Sequence, residues 1–238
     1  LVQWLCAQIP QRAVAYSRLH ADRLRALGRR DDVQLVRTIA PARAKRRAPA
    51  AQPPFALFAG RLIPDKRAAA IVPALARARH ALPDVRAVIA GDGPERDAIC
   101  RAVAACGLDG AVDLPGFVPQ AELDALLTRA TCLALPSRRE GYGLAVLEAA
   151  AAGVPSVVVA GPDNAAAEWI VDGINGAVAP SAAEADLASA MLRIHAAGDA
   201  LRVSTAAWFD RLRARAEEAP ALDTLLTLYR EAARSRRA

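Results

Sequence analysis

Lysine is almost missing from this sequence. Of 31 basic residues only Lys45 and Lys66 are lysines, and every other positive side chain is arginine. Aromatic residues make up 4%, which leaves Ala, Val, Leu and Ile to build the core and few rings on which nucleic-acid bases could stack. The four cysteines, Cys6, Cys100, Cys106 and Cys132, show no C-x-x-C spacing and no histidine at metal-ligand distance. That pattern reads as reduced thiols in a cytoplasmic protein. No apolar run approaches the ~18 to 20 residues needed to span a bilayer, and no basic-apolar-small leader opens the sequence. There is no P-loop G-K-[ST] and no Asp-x-Asp metal motif. A chain of 238 residues buries roughly 70% of its unfolded surface and needs no disulfide staple.

What is present begins with charge. The net charge of +6 is concentrated in P-A-R-A-K-R-R-A-P-A-A-Q-P-P (41 to 54) and in the tail R-S-R-R-A (234 to 238). A basic balance suits nucleic acid, anionic lipid or an acidic small substrate. Without interleaved aromatics nucleic acid is set aside. Peripheral contact at the inner face of a membrane stays open, against plain solvation of the arginines.

Residues 1 to 40 read as strand 13–17, a helix from Ser17 to Leu27 closed by Gly28, and strand 33–39. Two strands and one helix enclose no core, so this segment is expected to be the end of a larger domain. The stretch 41 to 54 reads as a basic Pro/Ala linker. Strands at 55–59, 85–90, 111–114, 131–135 and 155–160 then alternate with helices at 67–81, 95–105, 120–129, 143–152 and 165–171. Short apolar strands alternating with helices predict an α/β fold, a doubly wound, Rossmann-like parallel sheet covered on both faces. Residues 183 to 235 read as helices divided at Pro220. The expected domains are thus 1–40, the linker 41–54, a Rossmann-like domain 55–198 and C-terminal helices 199–238.

In such a sheet ligands sit beyond the carboxyl ends of the strands. The first of these loops is G-R-L-I-P-D-K-R (60 to 67). Gly60 permits close approach to the backbone, and Arg61 and Lys66 supply cations. One of only two lysines in an arginine-rich chain, Lys66 suits a phosphate site, a compact point charge rather than a fork. The loop G-D-G-P-E-R (91 to 96) lacks the third glycine of a dinucleotide fingerprint and reads as a tight turn with Pro94 at the first helical position. The loop P-G-F-V-P (115 to 119) either lines a base or sugar or is a plain connection. The fourth loop, P-S-R-R-E-G-Y-G-L-A-V-L-E (136 to 148), carries the sharpest signal. Gly141 and Gly143 leave a helix N-terminus bare, so its free N–H groups and positive dipole end suit an anion. Glu140 lies outside that helix, and Glu148 lies ~7.5 Å along its axis from Gly143. The spacing fits one acid on each side of a bound phosphate.

These loops, with L-P-G-F-V-P, the run from Leu135 through E-A-A-A-A-G-V-P-S-V-V, and E-W-I-V-D-G-I-N-G (168 to 176), resemble in unbroken order the donor-binding half of glycosyltransferase family 4. Those are retaining, metal-independent enzymes of the GT-B fold. The helical end, with A-A-W-F-D (206 to 210) and L-Y-R-E (228 to 231), is similar as well. The resemblance implies a glycosyltransferase moving a sugar from a nucleoside diphosphate sugar, UDP- or GDP-linked, to a lipid-linked or glycan acceptor. Arg61, Lys66, Gly143 and Leu144 would bind the diphosphate and Glu148 the ribose. Glu140 would face the sugar beside Gly60 and Gly141, and Phe117 and Val118 would flank the base. Glu140, Arg61 and Lys66 become the catalytic candidates, with no metal or other cofactor expected. The acceptor site of the family lies in an N-terminal Rossmann domain, so a preceding domain or a partner chain would have to supply it. A sugar-nucleotide-binding domain without catalysis, or another GT-B enzyme such as a sugar-nucleotide epimerase, is the alternative.

Overall fold

The computed structural model describes residues 13–28, 33–37, 47–218 and 221–235. The chain divides into two compact units, one formed by residues 1–41 and 211–238 and the other by residues 42–210. In the smaller unit β1 (Ala13–Ala15) pairs parallel with β2 (Val33–Leu35) across α1 (Arg18–Ala26). The Ser17 hydroxyl accepts from the His20 N–H and caps α1, as Ser17 predicts. The strands are shorter than the apolar runs 13–17 and 33–39. Residues 38–40 and Pro220 lie outside the described residues.

The larger unit is a six-stranded parallel sheet in the order β5-β4-β3-β6-β7-β8, which we number β3 (Phe55–Ala59), β4 (Arg86–Ala90), β5 (Val112–Gly116), β6 (Cys132–Leu135), β7 (Ser156–Val159) and β8 (Gly176–Ala179). Every residue of β6 and β7 is buried, as expected where helices cover both faces. The helices between them are α2 (Ile71–Ala78), α3 (Arg96–Ala105), α4 (Gln120–Arg129) and α5 (Leu144–Ala151). The chain runs outward through β3, β4 and β5, then returns to place β6 on the other side of β3. The strand order therefore reverses between β3 and β6, and the loops after those two strands flank the crevice. The architecture is the Rossmann-like α/β fold that the alternating pattern implied.

Several local expectations are corrected. Residues 67–70 are not α-helical: 3-10 turns occupy Pro64–Lys66 and Ala68–Ala70, and the α-helix starts only at Ile71. Pro73 explains this, because its missing N–H and its ring are tolerated only in the first turn of a helix. Arg67 adopts the left-handed conformation between the two 3-10 turns (φ 50°, ψ 34°). Pro83 disfavours helix at Leu82, and α2 ends at Ala78. Pro94 precedes the helix rather than opening it, since α3 begins at Arg96. The segment 165–171 forms a 3-10 turn, Ala165–Trp169. Strand β8 was not anticipated. Its four residues are Gly-Ala-Val-Ala, too small to signal a strand, and Gly176 is where β7 comes closest: a Cβ there would lie 2.1 Å from the Ser156 carbonyl oxygen. The helical region is Glu184–Glu218, broken at Gly198 (φ 53°, ψ −141°), followed by α7 (Ala221–Ser235). We label the broken helix α6.

Alanine dominates the seams, and the core joins Phe58, Leu62, Ile71, Leu75 and Ile89 to Leu187, Met191 and Ile194 of α6. Cys132 is wholly enclosed there, and burial pushes its thiol up to about 12. Arg202 of α6 is buried, 8% exposed, and donates to the carbonyls of Ala130 (2.7 Å), Thr128 (2.9 Å) and Ala48 (2.6 Å). Thr128 and Ala130 end α4, where carbonyls lack intrahelical partners and a cation complements the dipole. Burial lowers the Arg202 pKa from its ordinary value, with Asp199 acting in the opposite direction. Replacing Arg202 by methionine keeps the apolar stem but strands three carbonyls. We expect a loss of about 2 to 4 kcal/mol, a fall in Tm of roughly 5 to 15 °C, measured by calorimetric melting. A change below about 1 °C would show that the carbonyls find other partners.

Candidate functional site

The mouth of the crevice is built by backbone before side chains. The N–H of Gly60 donates to the Ala90 carbonyl, that of Gly91 to Gly116, that of Leu62 to Asp92 and that of Glu95 to Leu62, at 2.7 to 3.0 Å. The loops after β3, β4 and β5 are thus laced edge to edge. A Cβ at Gly91 would lie 1.8 Å from the Gly60 carbonyl oxygen, and one at Gly93 2.5 Å from that of Leu62. G-D-G-P-E-R therefore spends its glycines on contact with the neighbouring loop.

On the other side of the reversal, the loop 136–143 runs against the loop 60–67. The Arg138 N–H donates to the Asp65 carbonyl at 2.8 Å, and the Arg138 guanidinium donates to Asp65 Oδ1 from Nε (3.0 Å) and from an Nη (2.6 Å). Hydrogen bonding by Arg138 is the largest of the influences that hold the Asp65 carboxyl below its ordinary value. Beside this clamp, Lys66 Nζ donates to Glu140 Oε2 at 2.5 Å, with each side chain about one fifth exposed.

Glu140 is fixed from behind. Its N–H donates to the Asp163 carbonyl, and its own carbonyl accepts from Ala165 N–H. Asn164, 4% exposed, donates from Nδ2 to the carbonyls of Ser137 (3.1 Å) and Val159 (2.8 Å), while its Oδ1 accepts from Ala166 N–H. One buried amide thus joins the end of β7, the start of the 136–143 loop and the 165–169 turn. Trp169 completes the brace: its Nε1–H donates to the Tyr142 carbonyl at 2.6 Å, and its ring meets that of Tyr142 edge-on at 5.3 Å.

This brace decides the form of Gly143. The residue is left-handed (φ 88°, ψ 40°) at the N-cap of α5, with no side-chain cap. A Cβ there would sit 2.8 Å from both Cα and Cβ of Ala166. The N–H groups of Leu144 and Ala145 have no acceptor among the described residues, as at any uncapped helix start. Gly141 is exposed just ahead of them. The Glu148 side chain, half-buried one turn into α5, has no hydrogen bond or ion pair among the described residues.

The structure therefore brings Lys66 and Glu140 into direct contact and sets Gly60 against Gly91. Arg61 is exposed and joins neither by hydrogen bond nor by ion pair. Phe117 is 85% exposed and Leu144 48%, whereas Val118 is buried. Asp65, Arg138, Asn164 and Trp169 were not singled out from the sequence. Asn164 ahead of three alanines is an N-cap signature that could have been read. The Asp65–Arg138 and Trp169–Tyr142 pairings span 73 and 27 positions and leave no local trace. No group of three or more metal-ligating side chains occurs among the described residues.

Residues 41–203 match the family model described as glycosyl transferases group 1. The chain belongs to that family. Among its relatives is a GDP-mannose-dependent alpha-(1-6)-phosphatidylinositol monomannoside mannosyltransferase of Mycolicibacterium smegmatis, 34% identical over 132 residues, 52% of this chain and 34% of that protein. Sucrose-phosphate synthase of Thermosynechococcus elongatus superposes with a TM-score of 0.79 over 93% of this chain and 58% of its own, at 23% identity. Anabaena HepE, solved in complex with UDP and glucose, gives 0.71 over 98% of this chain and 65% of its own, at 19% identity. The chain spans about a third of the length of the curated relatives it matches. The fold of this group 1 glycosyltransferase chain is that of its GT-B neighbours.

Two outcomes test the site's construction. Gly143→Ala meets Ala166 backbone as well as an unfavourable φ, whereas Gly110→Ala, at φ 77° with nothing within 4 Å, meets only the latter. We expect about 1 kcal/mol for Gly110→Ala and about 2 to 3 kcal/mol for Gly143→Ala in denaturant melts; equal losses would mean the brace yields freely. For Asp65 the folded pKa is depressed, so its contribution is present above the ordinary carboxylate value of about 3.9 and is lost as pH falls through the lower folded value. Carboxyl NMR should place its midpoint below that value, and Arg138→Gln should move it upward. No movement would remove Arg138 as the cause.

Proposed function

We propose that residues 42–210 bind a nucleoside diphosphate sugar at the carboxyl edge of the sheet, as the donor-binding part of a retaining glycosyltransferase. The observation that carries this reading is the uncapped, glycine-entered start of α5 set across the strand-order reversal from Lys66 and Arg61, with the unpartnered Glu148 one turn inside. A half-buried carboxylate without a donor is costly, and a ribose diol offers two hydroxyl donors to one carboxylate. The free N–H groups of Leu144 and Ala145, with Lys66 and Arg61, would take the diphosphate. Glu140 would accept from the sugar hydroxyls. Exposed Phe117 would lie along the base.

As the glycosidic bond to the leaving phosphate lengthens, positive charge grows on the sugar and negative charge on the nucleoside diphosphate. The two cations and the helix end, held in place before the reaction, would stabilise that leaving group. Charge is thereby supplied from this chain's own side chains and backbone. Acceptor binding would come from a further domain or a partner chain, and a lipid-linked or glycan acceptor suits the basic segments at 41–54 and 234–238. No described helix is long and apolar enough to cross a membrane. The mannosyltransferase relative supports GDP and the HepE complex supports UDP, which leaves both nucleotides as candidates.

Titration calorimetry with UDP and with GDP decides the ribose assignment. Wild type should bind one of the two, and Glu148→Ala should bind it about 10- to 100-fold more weakly, the cost of a charged hydrogen-bond acceptor. Equal affinity in the two proteins would overturn the role of Glu148, and no binding of either nucleotide would overturn the donor site.

A further inference from the structure

We propose that the Lys66–Glu140 ion pair makes the site discriminate an intact sugar nucleotide from the spent nucleoside diphosphate, the two charges exchanging partners only when phosphate and sugar arrive on one molecule. The proposal rests on the donor-binding reading above. Its basis is that the cation suited to phosphate and the acid suited to sugar are each other's partner at 2.5 Å.

The pair is not what holds its two loops together. The Asp65 clamp already joins them by two guanidinium hydrogen bonds and one backbone hydrogen bond. Glu140 is fixed through its own N–H and carbonyl to Asp163 and Ala165. Lys66 and Glu140 can therefore separate by side-chain rotation alone, and both are exposed enough, about one fifth, for a ligand to reach.

The exchange is asymmetric. A diphosphate that captures the Lys66 ammonium leaves the Glu140 carboxylate beside a second anion with no donor, and a partly buried carboxylate in that position is costly. A carboxylate only accepts, so it needs hydroxyl or N–H donors, and a hexose supplies hydroxyls. With the sugar attached, both charges regain partners. With the sugar gone, Glu140 competes with the phosphate for Lys66 and favours release of the product. Arg61, which has no ion pair among the described residues, takes no part in this competition.

Calorimetry on the 238-residue chain with UDP, UDP-glucose, GDP and GDP-mannose tests the exchange in wild type, Glu140→Gln, Lys66→Ala and the double variant. Glu140→Gln should tighten the nucleoside diphosphate about three- to tenfold, the scale of a partly exposed ion pair. It should leave the corresponding sugar nucleotide no tighter, so that the preference for intact donor collapses. In the Lys66→Ala background the same change should have a smaller effect on the nucleoside diphosphate, because only the repulsion between the two anions is left to relieve. Glu140→Asp, too short to hold Lys66 in the same geometry, should act in the same direction and serves if the glutamine variant melts early. Unchanged or weakened nucleoside diphosphate binding would overturn the exchange while leaving the donor site standing, as would equal tightening of both ligands. Wild type that binds none of the four would overturn the donor reading and the exchange with it.

Discussion

At the carboxyl edge of this sheet, backbone approaches backbone with no room for a side chain between. Gly91 lies against the Gly60 carbonyl, Gly93 against that of Leu62, and Gly143 against Ala166. The loops laced by these contacts cannot drift independently, because backbone hydrogen bonds flank the Gly91 and Gly93 approaches and the Trp169 hydrogen bond to the Tyr142 carbonyl flanks that of Gly143. Placement of every charged group at the mouth follows from that. Lys66 stands where it does because Leu62 and Asp92 fix the loop behind it, and Glu140 because Asn164 and Asp163 fix the strand-like segment it ends. A site assembled from rigid backbone keeps its donors and cations oriented without reorganisation.

The same economy governs the electrostatics. In a chain that uses arginine nearly everywhere, two arginines at the mouth hold the loops, Arg138 by a fork to Asp65 and Arg96 by one hydrogen bond to the Leu114 carbonyl at 3.0 Å, while Arg61 makes no ion pair among the described residues. Lysine is a movable point charge, and the one described lysine, Lys66, sits on the crevice. Rigid forks and a mobile ammonium side by side divide the work between holding the loops and meeting a ligand.

The alternation of short apolar strands with helices was visible along 55–160, because buried parallel strands read as continuous Ala/Val/Leu/Ile runs. What was not visible has specific causes. Pro73 governs where α2 starts through a clash with the preceding turn, an effect hidden inside an otherwise helical pattern. Strand β8 is made of residues with little strand signal of their own and exists because Gly176 lets it close on β7. At the site, the acids and the lysine stood out by residue type and spacing, yet their pairing crosses 74 positions and depends on β6 lying next to β3. Asn164 and Trp169 carry no charge pattern, and their role appears only once the turn behind Glu140 is in place.

The Arg202 fork has a consequence for the order in which the larger unit assembles. Its hydrogen bonds to Ala48 and Thr128 join residues 154 and 74 positions apart, so they can form only after the chain between them has collapsed. Contacts of such long separation carry a large closure entropy and come late. The widest pairing in the sheet, β3 with β6 (Ala56 opposite Cys132), spans 76 positions, whereas the hydrogen bond from Arg202 to Ala48 spans 154. Interactions made after the rate-limiting step govern how fast a fold comes apart rather than how fast it forms. A single buried guanidinium is thus expected to lengthen the lifetime of the folded state, remote from the crevice whose scaffold it holds.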